Sequence, residues 1–416
     1  MGDLGVVAEA DDRLREDWAL VQGLLPVGWQ GKARELGALR RTRGVADAAI
    51  LLRVLLIHLA QGCGLRTTAA LAREGGLADL SDVAILKRLK GCAGWFEWMA
   101  QGLRTKWLPE FPALSEAWAG RRIRLVDGAL VSEPGETGSK WRLHYSVGLP
   151  ALNCDEVIVS TPKEGETLKR FAVCPGDVLI ADRGYAQAGG IAHVRAHQGD
   201  VIIRTNLVTL PLHDRQGVRL DPLAHLRTLQ VGQCGHWPVW VKADGPGPRP
   251  VASPGWPKAI GLPGRPPGRP APKRLIPGRL CAIKKSVAAA QKARQRAQRE
   301  SQRNGAQLRP ETLEAADYVF VFTTLPQALS ADTVMELYRG RWQIELAFKR
   351  LKSLVQLGHL KKHDSQASRA WLQGKLLVAL LIDALLQTAE RISPWGYYAC
   401  EIQTNALPLA RHPIHA

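Results

Sequence analysis

Asp332-Thr-Val-Met-Glu-Leu-Tyr-Arg-Gly-Arg-Trp-Gln-Ile-Glu-Leu-Ala-Phe-Lys-Arg-Leu-Lys352 is the stretch on which the reading of this chain turns. It has no proline and a single glycine, Gly340, and Ser330 or Asp332 can cap its start, so the pattern predicts one long helix. At about 3.6 residues per turn, Tyr338, Arg341, Glu345 and Lys352 fall within about 40° of one line. Leu337, Ile344, Leu351 and Val355 form a separate apolar stripe about 90° away that can seat the helix on a core. The polar face then holds one carboxylate among cations and aromatics. Pairing of Glu345 with Arg341 or Lys349 at i,i+4 on a solvated face accounts for those charges by itself. Two acids at the ends of upstream apolar strands give Glu345 a chemical reading as well.

The first of these follows Ile123, Leu125 and Val126, a strand pattern with Asp127-Gly128 at its exit or edge. Residues 141–149 and 156–160 read as a second and third strand, and 167–171 as a short crossover helix. Asp177-Val-Leu-Ile-Ala-Asp-Arg-Gly-Tyr185 is a buried strand ending in Asp182, with Gly184 permitting a sharp turn after the acid. A helix over 190–197, a strand over 200–205 and a strand over 318–324 complete the set. An antiparallel start followed by parallel crossovers fits an α/β, RNase H-like core. His193 and His197 have the spacing of a metal pair on a helix, but with no third ligand nearby they read as an exposed face. His58 reads as a core or boundary histidine.

Composition bounds the partner. The chain of 416 residues has a formal net charge of +18, which favours a polyanion, nucleic acid first and an anionic membrane surface second. Its seven cysteines are scattered and form no C-x-x-C pair, against a disulfide framework or zinc site and for a reducing cytosol. The acidic N-terminus with no apolar region behind it argues against export, so the expected location is cytoplasmic. The apolar run 376–386 is short for a membrane span and reads as a buried helix.

Residues 1–118 are helix-patterned. Leu65 to Gly76 and Ser81 to Lys90 suggest a helix-turn-helix-like unit that lays Lys87, Arg88 and Lys90 on DNA, a pattern small bundles also adopt for structural reasons. Trp95, Phe96 and Trp98 read as packing. Beyond 207 the composition shifts: short strands to 241, then a proline- and glycine-rich stretch over 245–278 that reads as an extended loop. The charge run 280–303 reads as a solvated helix or a phosphate-facing one. Residues 365–390 read as a strong helix stopped near Pro394, and the tail from Trp395 has no legible pattern.

Three carboxylates from different elements of a basic chain are what a two-metal phosphodiester site requires, since hard divalent ions take oxygen ligands. The spacing of Tyr338, Arg341, Glu345 and Lys352, with Trp342 after the arginine, resembles the YREK signature of the insertion-sequence-four (IS-four) family of bacterial DDE transposases. That resemblance covers most of the chain at the level of motif order. It implies a catalytic, metal-binding triad of Asp127, Asp182 and Glu345, with two Mg²⁺ ions that Mn²⁺ can replace. It implies cutting at the terminal inverted repeats, a hairpin intermediate, transfer of the 3′ hydroxyl into target DNA, and a dimer holding both ends. It implies DNA contacts by Tyr338, Arg341, Lys352 and Arg204 and stacking by Trp342 and by an insertion tryptophan, Trp237, Trp240 or Trp256. Ala129, where the family often has a hydroxyl residue, and the long proline-rich loop depart from the pattern.

The expected organisation is thus a helical DNA-binding part (1–118) and an RNase H-like core in two pieces (119–206 and 317–362), split by a mainly β insertion (207–316). A C-terminal helical segment (363–416) is suited to dimerisation by its apolar surface. A nuclease without strand transfer and a non-catalytic DNA-binding relative are the rival readings.

Overall fold

The computed structural model describes residues 18–107, 118–132, 140–161, 163–244, 273–305, 307–353, 355–357, 360 and 364–392. The acidic N-terminus, Trp256 with most of the proline-rich stretch, Pro394 and the tail from Trp395 lie outside the described residues.

Helices α1 (Trp29–Glu35), α2 (Ala48–Ala60), α3 (Leu65–Glu74), α4 (Asp82–Lys90) and α5 (Ala93–Trp107) come first. Strands β1 (Arg122–Ser132), β2 (Lys140–Gly148), β3 (Asn153–Ser160) and β4 (Asp177–Ala181) precede α6 (Ala188–Ala196) and β5 (Asp200–Arg204). Then follow β6 (Leu212–His213), α7 (Pro222–Leu226), β7 (Cys234–Asp244), β8 (Lys273–Lys284), α8 (Val287–Arg303), α9 (Pro310–Ala315) and β9 (Tyr318–Thr323). Helices α10 (Ala331–Arg339), α11 (Trp342–Ser353) and α12 (Ser365–Ile392) close the series. The strands form a nine-stranded mixed sheet in the order β3-β2-β1-β4-β5-β9-β8-β7-β6. The chain divides into two compact units, the first Met1–Pro112, Asp127–Gly165 and Trp342–His412, the second Ala113–Val126, Glu166–Arg341 and Pro413–Ala416.

In the first unit α2 is a core helix whose start is fixed by Asp47, which accepts from Ile50 N at 2.8 Å, and whose Leu51, Leu52, Leu55 and Leu59 are fully buried. His58 is buried with Nδ1 2.6 Å from Cys63 O, a structural histidine as its isolation in the sequence predicts. Ser81 caps α4. Of the three cations expected to face DNA there, Arg88 donates to the carbonyls of Arg41 and Arg43, Lys90 pairs with Asp364, and Lys87 is the exposed one. Trp95 and Phe96 are buried, in keeping with packing.

Helix α12 covers the 365–390 stretch that reads as a strong helix and extends two residues beyond it. Its residues 365–388 are long and apolar enough to cross a membrane by length and composition alone. Its apolar side chains instead pack on α5, α2, α4 and β3, and Gly374 comes so close that an added Cβ would lie 2.5 Å from Leu59 Cδ1. Most of the apolar surface that suggested a dimer contact is therefore covered within the chain, and Ile382 and Leu386 stay exposed. Burial against its own core accounts for most of the apolar composition of this helix.

In the second unit β1, β4 and β5 run parallel, with Leu125 opposite Ile180 and Ala181 opposite Ile203. β9 then pairs antiparallel with both β5 and β8, and β8 with β7. One core of buried residues, including Leu179, Ile203, Val239, Leu280 and Phe322, spans these strands. The loop expected over 245–278 ends earlier, because residues 273–278 already belong to β8. Gly278 makes that possible: a Cβ there would meet Phe322 Cζ at 2.4 Å and Thr323 O at 2.7 Å, so only glycine lets the strand pass under the ring. The charge run is likewise divided, with Lys284 ending β8 and the helix beginning at Val287 behind the Ser286 cap.

The long helix expected from Asp332 to Lys352 is broken. Gly340 N bonds Leu337 O at 3.1 Å and Arg341 N bonds Tyr338 O at 3.0 Å, both three residues back, which tightens the turn and ends the α10 ladder. A Cβ on residue 340 would stand 3.2 Å from Leu337 O, so glycine eases this closure. Ser330 is the cap used, accepting from Thr333 N at 3.1 Å.

Candidate active site

Asp182 is positioned by a strand that stops one residue before it. β4 is buried throughout, and Asp182 turns the chain into the short 3-10 segment Arg183–Tyr185 by accepting from Gly184 N at 2.8 Å through Oδ1. Its other carboxylate oxygen has no hydrogen bond among the described residues. Tyr185, fully buried with its ring 6.3 Å from that of Phe171, pins the turn from below. A Cβ on Gly184 would lie 2.2 Å from Glu166 Oε2, the end of a side chain that can move aside, and 3.2 Å from Asp182 Oδ1. Glu166 is thus a further carboxylate beside Asp182. Nothing in the sequence singled it out, because it sits in a glycine-flanked loop outside any motif.

Arg204 ends β5, half-buried, in the electrostatic company of Tyr338, Arg183, Arg341 and Asp182. Burial pushes its pKa down, Tyr338 and Asp182 act upward, and Arg183 and Arg341 add to the depression. Tyr338, in the last turn of α10, is only 6% exposed and does not lie on the open polar face that the helical projection gave it. Burial raises its pKa while Arg341 and Arg204 lower it. The second unit therefore places Asp182, Arg204, Tyr338 and Arg341 within electrostatic range of one another, with Glu166 beside Asp182.

The other expected site residues belong to the first unit. Asp127 lies within β1, which continues to Ser132, and so not at the strand's exit, one of the two places expected for it. Its Oδ1 accepts from Gly128 N at 2.8 Å. The strand passes through the glycine after the acid. Glu345 is exposed in the first turn of α11, where the helix dipole favours a carboxylate, and Lys352 is exposed in the last turn. Seven residues apart, these two share one face of α11. The break at Gly340 removes Tyr338 and Arg341 from that helix. Trp342 opens α11 with half its surface exposed. Of the insertion tryptophans, Trp237 is stacked on His225 at 5.3 Å, and Trp240 stands opposite Pro277 across the β7–β8 ladder.

Carboxylates are the hard oxygen donors that a divalent ion takes, and Asp182, with one oxygen fixed by a backbone amide and the other without a hydrogen bond, fits that use. No group of three or more His, Cys, Asp or Glu side chains among the described residues is gathered closely enough to hold a metal ion. The rings of His193 and His197 lie 4.5 Å apart, tilted by 53°.

Residues 163–381 match the family model described as the transposase DDE domain. Over 364 residues the chain is 35% identical to a putative transposase InsL for insertion sequence element IS186A of Escherichia coli strain K12, covering 87% of this chain and 91% of that one. The transposase for insertion sequence element IS421 of Escherichia coli is also 35% identical, over 365 residues, with the same coverage.

Proposed function

Since the chain belongs to the IS-four family of DDE transposases of insertion sequences, we propose that it moves its element by cut-and-paste transposition, using the carboxylates of Asp127, Asp182 and Glu345. The observation that carries this reading is the cluster of Asp182, Arg204, Tyr338 and Arg341 at the ends of neighbouring elements, inside the segment that matches the family domain. The parallel pairing of β1 with β4 supports it too, because Asp127 and Asp182 each follow the Leu125–Ile180 pair by two residues. The neighbour order β3-β2-β1-β4-β5 is in keeping with an RNase H-like core, with β6 to β8 as the inserted strands.

On this reading the three carboxylates would hold divalent metal, Mg²⁺ or Mn²⁺, whose chemistry when bound is to activate an attacking water or 3′ hydroxyl and stabilise the leaving 3′ oxygen. Arg204 and Arg341 grip the phosphate at the cleavage point, and the buried phenol of Tyr338 holds those guanidiniums in place. Lys352 takes a neighbouring phosphate along the face of α11 that bears Glu345. Trp342, already half in solvent, receives a base displaced as the hairpin forms. The N-terminal helices bind the element's terminal repeats through Lys87. Two ends held together call for a synaptic dimer. A formal net charge of +18 suits capture of duplex DNA.

The test uses an oligonucleotide duplex carrying the element's terminal repeat, with a supercoiled plasmid as target. Wild type should nick the end and join it to plasmid only with Mg²⁺ or Mn²⁺. Asp127→Asn, Asp182→Asn and Glu345→Gln should each bind the end yet neither nick nor join. Substantial nicking by any of them removes that residue from the triad. Nicking without joining by wild type makes the chain a nuclease, and binding without either makes it a non-catalytic relative.

A further inference from the structure

Helix α8 carries its charge on one side. Lys292, Arg296, Arg299 and Arg303 follow one another at steps of four, three and four residues, which gathers them within about 60° of arc at about 100° per residue. All four are exposed. Ala290 is buried and Ala293 and Ala297 are half-buried on the opposite side, and Arg294, beside that edge, is tied to Asp317 through Nε at 2.6 Å. The helix is thus seated by alanines and one ion pair, and its free face is cationic.

Two further observations separate this face from an ordinary solvated one. Among the described residues none of the four cations has a hydrogen bond or ion pair, and Glu300, the one acid of the helix, is engaged with none of them. Like charges at these spacings oppose helix formation, and alternating signs would remove the strain, yet the stripe keeps a single sign. The stripe also lies near the candidate active site, through the buried Lys285. Arg296 stands within electrostatic range of Lys285, Lys285 within range of Arg204 and Arg183, and Arg183 follows Asp182 directly.

We propose that Lys292, Arg296, Arg299 and Arg303 form a track for the sugar-phosphate backbone of the transposon-end duplex, extending the cationic line that begins at the Asp182 turn. This rests on the reading that the chain cuts DNA at element ends. The end is the occupant, and not target DNA, because the line starts at the carboxylate where the end is cut. From Lys292 to Arg303 the stripe runs about 16 Å, which spans about five phosphates of one strand. It contacts backbone only, so it adds affinity without reading sequence.

The experiment is a salt titration of end binding by full-length wild type and a variant with Lys292, Arg296, Arg299 and Arg303 all changed to Gln. Glutamine keeps helix propensity and the alanine edge is untouched. The slope of log affinity against log salt should fall by up to about 3.6, from about 0.9 per lost phosphate contact. Arg299→Gln and Arg303→Gln, each with an unchanged thermal midpoint, should each lower it by about 0.9, which keeps the test open if the fourfold variant does not fold. The charge-keeping variants Arg299→Lys and Arg303→Lys should leave it unchanged. An unchanged slope in the Gln variants overturns the proposal, and so does unchanged end binding with a selective loss of joining to plasmid, which would make target DNA the occupant. Either result leaves the active-site reading standing if wild type still nicks the end, whereas wild type with no end binding at all removes that reading first.

Discussion

Lys285 stores a cost that pH can release. It follows β8 with 5% of its surface exposed, its ammonium donates to Ala316 O at 2.8 Å, and burial together with Arg204 and Arg183 pushes its pKa down to about 8 from an ordinary 10.5. A folded pKa below the unfolded one means that the folded chain holds this proton less tightly. The unfolded state therefore binds more protons between about 8 and 10.5, and stability rises with pH across that window. Below it the penalty is in full force. The gap from 10.5 to about 8 corresponds to an upper value of about 3 kcal/mol, at about 1.4 kcal/mol per pH unit. Lys285→Met keeps an unbranched stem, removes the charge and forfeits the bond to Ala316 O, which costs about 1 kcal/mol. The variant should thus be about 1–2 kcal/mol more stable than wild type at pH 7 without DNA. Urea unfolding of both proteins at pH 7, 9 and 10.5 measures the difference at each pH, so titration of other groups cancels. The advantage should shrink through pH 9 and vanish or reverse by 10.5. A difference that is independent of pH, or a methionine variant less stable at pH 7, would refute the argument that this ammonium is buried at a cost.

Gly278→Ala should destabilise by about 3 kcal/mol or more in urea, because its Cβ would meet both the Phe322 ring and the Thr323 carbonyl. Changing Phe322 to Leu in that background should recover only part, since the carbonyl cannot move aside, and an unshifted midpoint would mean the strand has room. Trp342→Ala should leave stability nearly unchanged, as half its surface is in solvent, but weaken hairpin formation more than the first nick, by about 1–3 kcal/mol for one lost stack. Equal losses in both steps would make it structural. Asp383 lines a small cavity with Arg104, Asn153 and Cys154, and burial raises its pKa from 3.8 to about 6 against the pull of Arg350. Its folded state binds the proton more tightly, so stability falls as pH rises from about 4 to 6. Asp383→Asn should be the more stable protein at pH 7.5 and lose that margin by pH 4.5, and a margin constant with pH would count against it.

Much of the second unit was legible because its strands are buried on both faces and read as apolar runs. Residues 177–181 and 200–204 are examples, and Asp-Arg-Gly-Tyr marked the turn after β4 by its acid and its glycine. What escaped depended on neighbours that the sequence does not place. Gly340 is an ordinary helix residue until three-residue hydrogen bonds close on it, and Asp127-Gly128 sits inside β1 because the strand runs on beside β2, a pairing that those two residues do not announce. Residues 273–278 looked like loop because glycine and proline were read as breakers, while Gly278 is there to admit Phe322. The apolar face of α12 was visible, but its occupant was not: composition shows that a surface must be covered and does not say by which part of the chain. Asp182, Arg204 and Tyr338 were each found from motif order, whereas Glu166 had no periodicity or motif to mark it.

β9 lies inside the sheet, with β5 on one side and β8 on the other, and the contact between Val201 N and Thr324 Oγ1 spans 123 residues of chain. On the ribosome β5 therefore emerges long before the strand that completes it. Until residues 318–323 are synthesised, β5 and β8 each present an unpaired edge, and the Phe322 ring that covers Gly278 does not yet exist. Pairings of such long range are slow and leave the nascent chain open to aggregation. Translation speed and chaperone supply, acting on this one late strand, would then govern how much folded transposase a cell accumulates from a given amount of message.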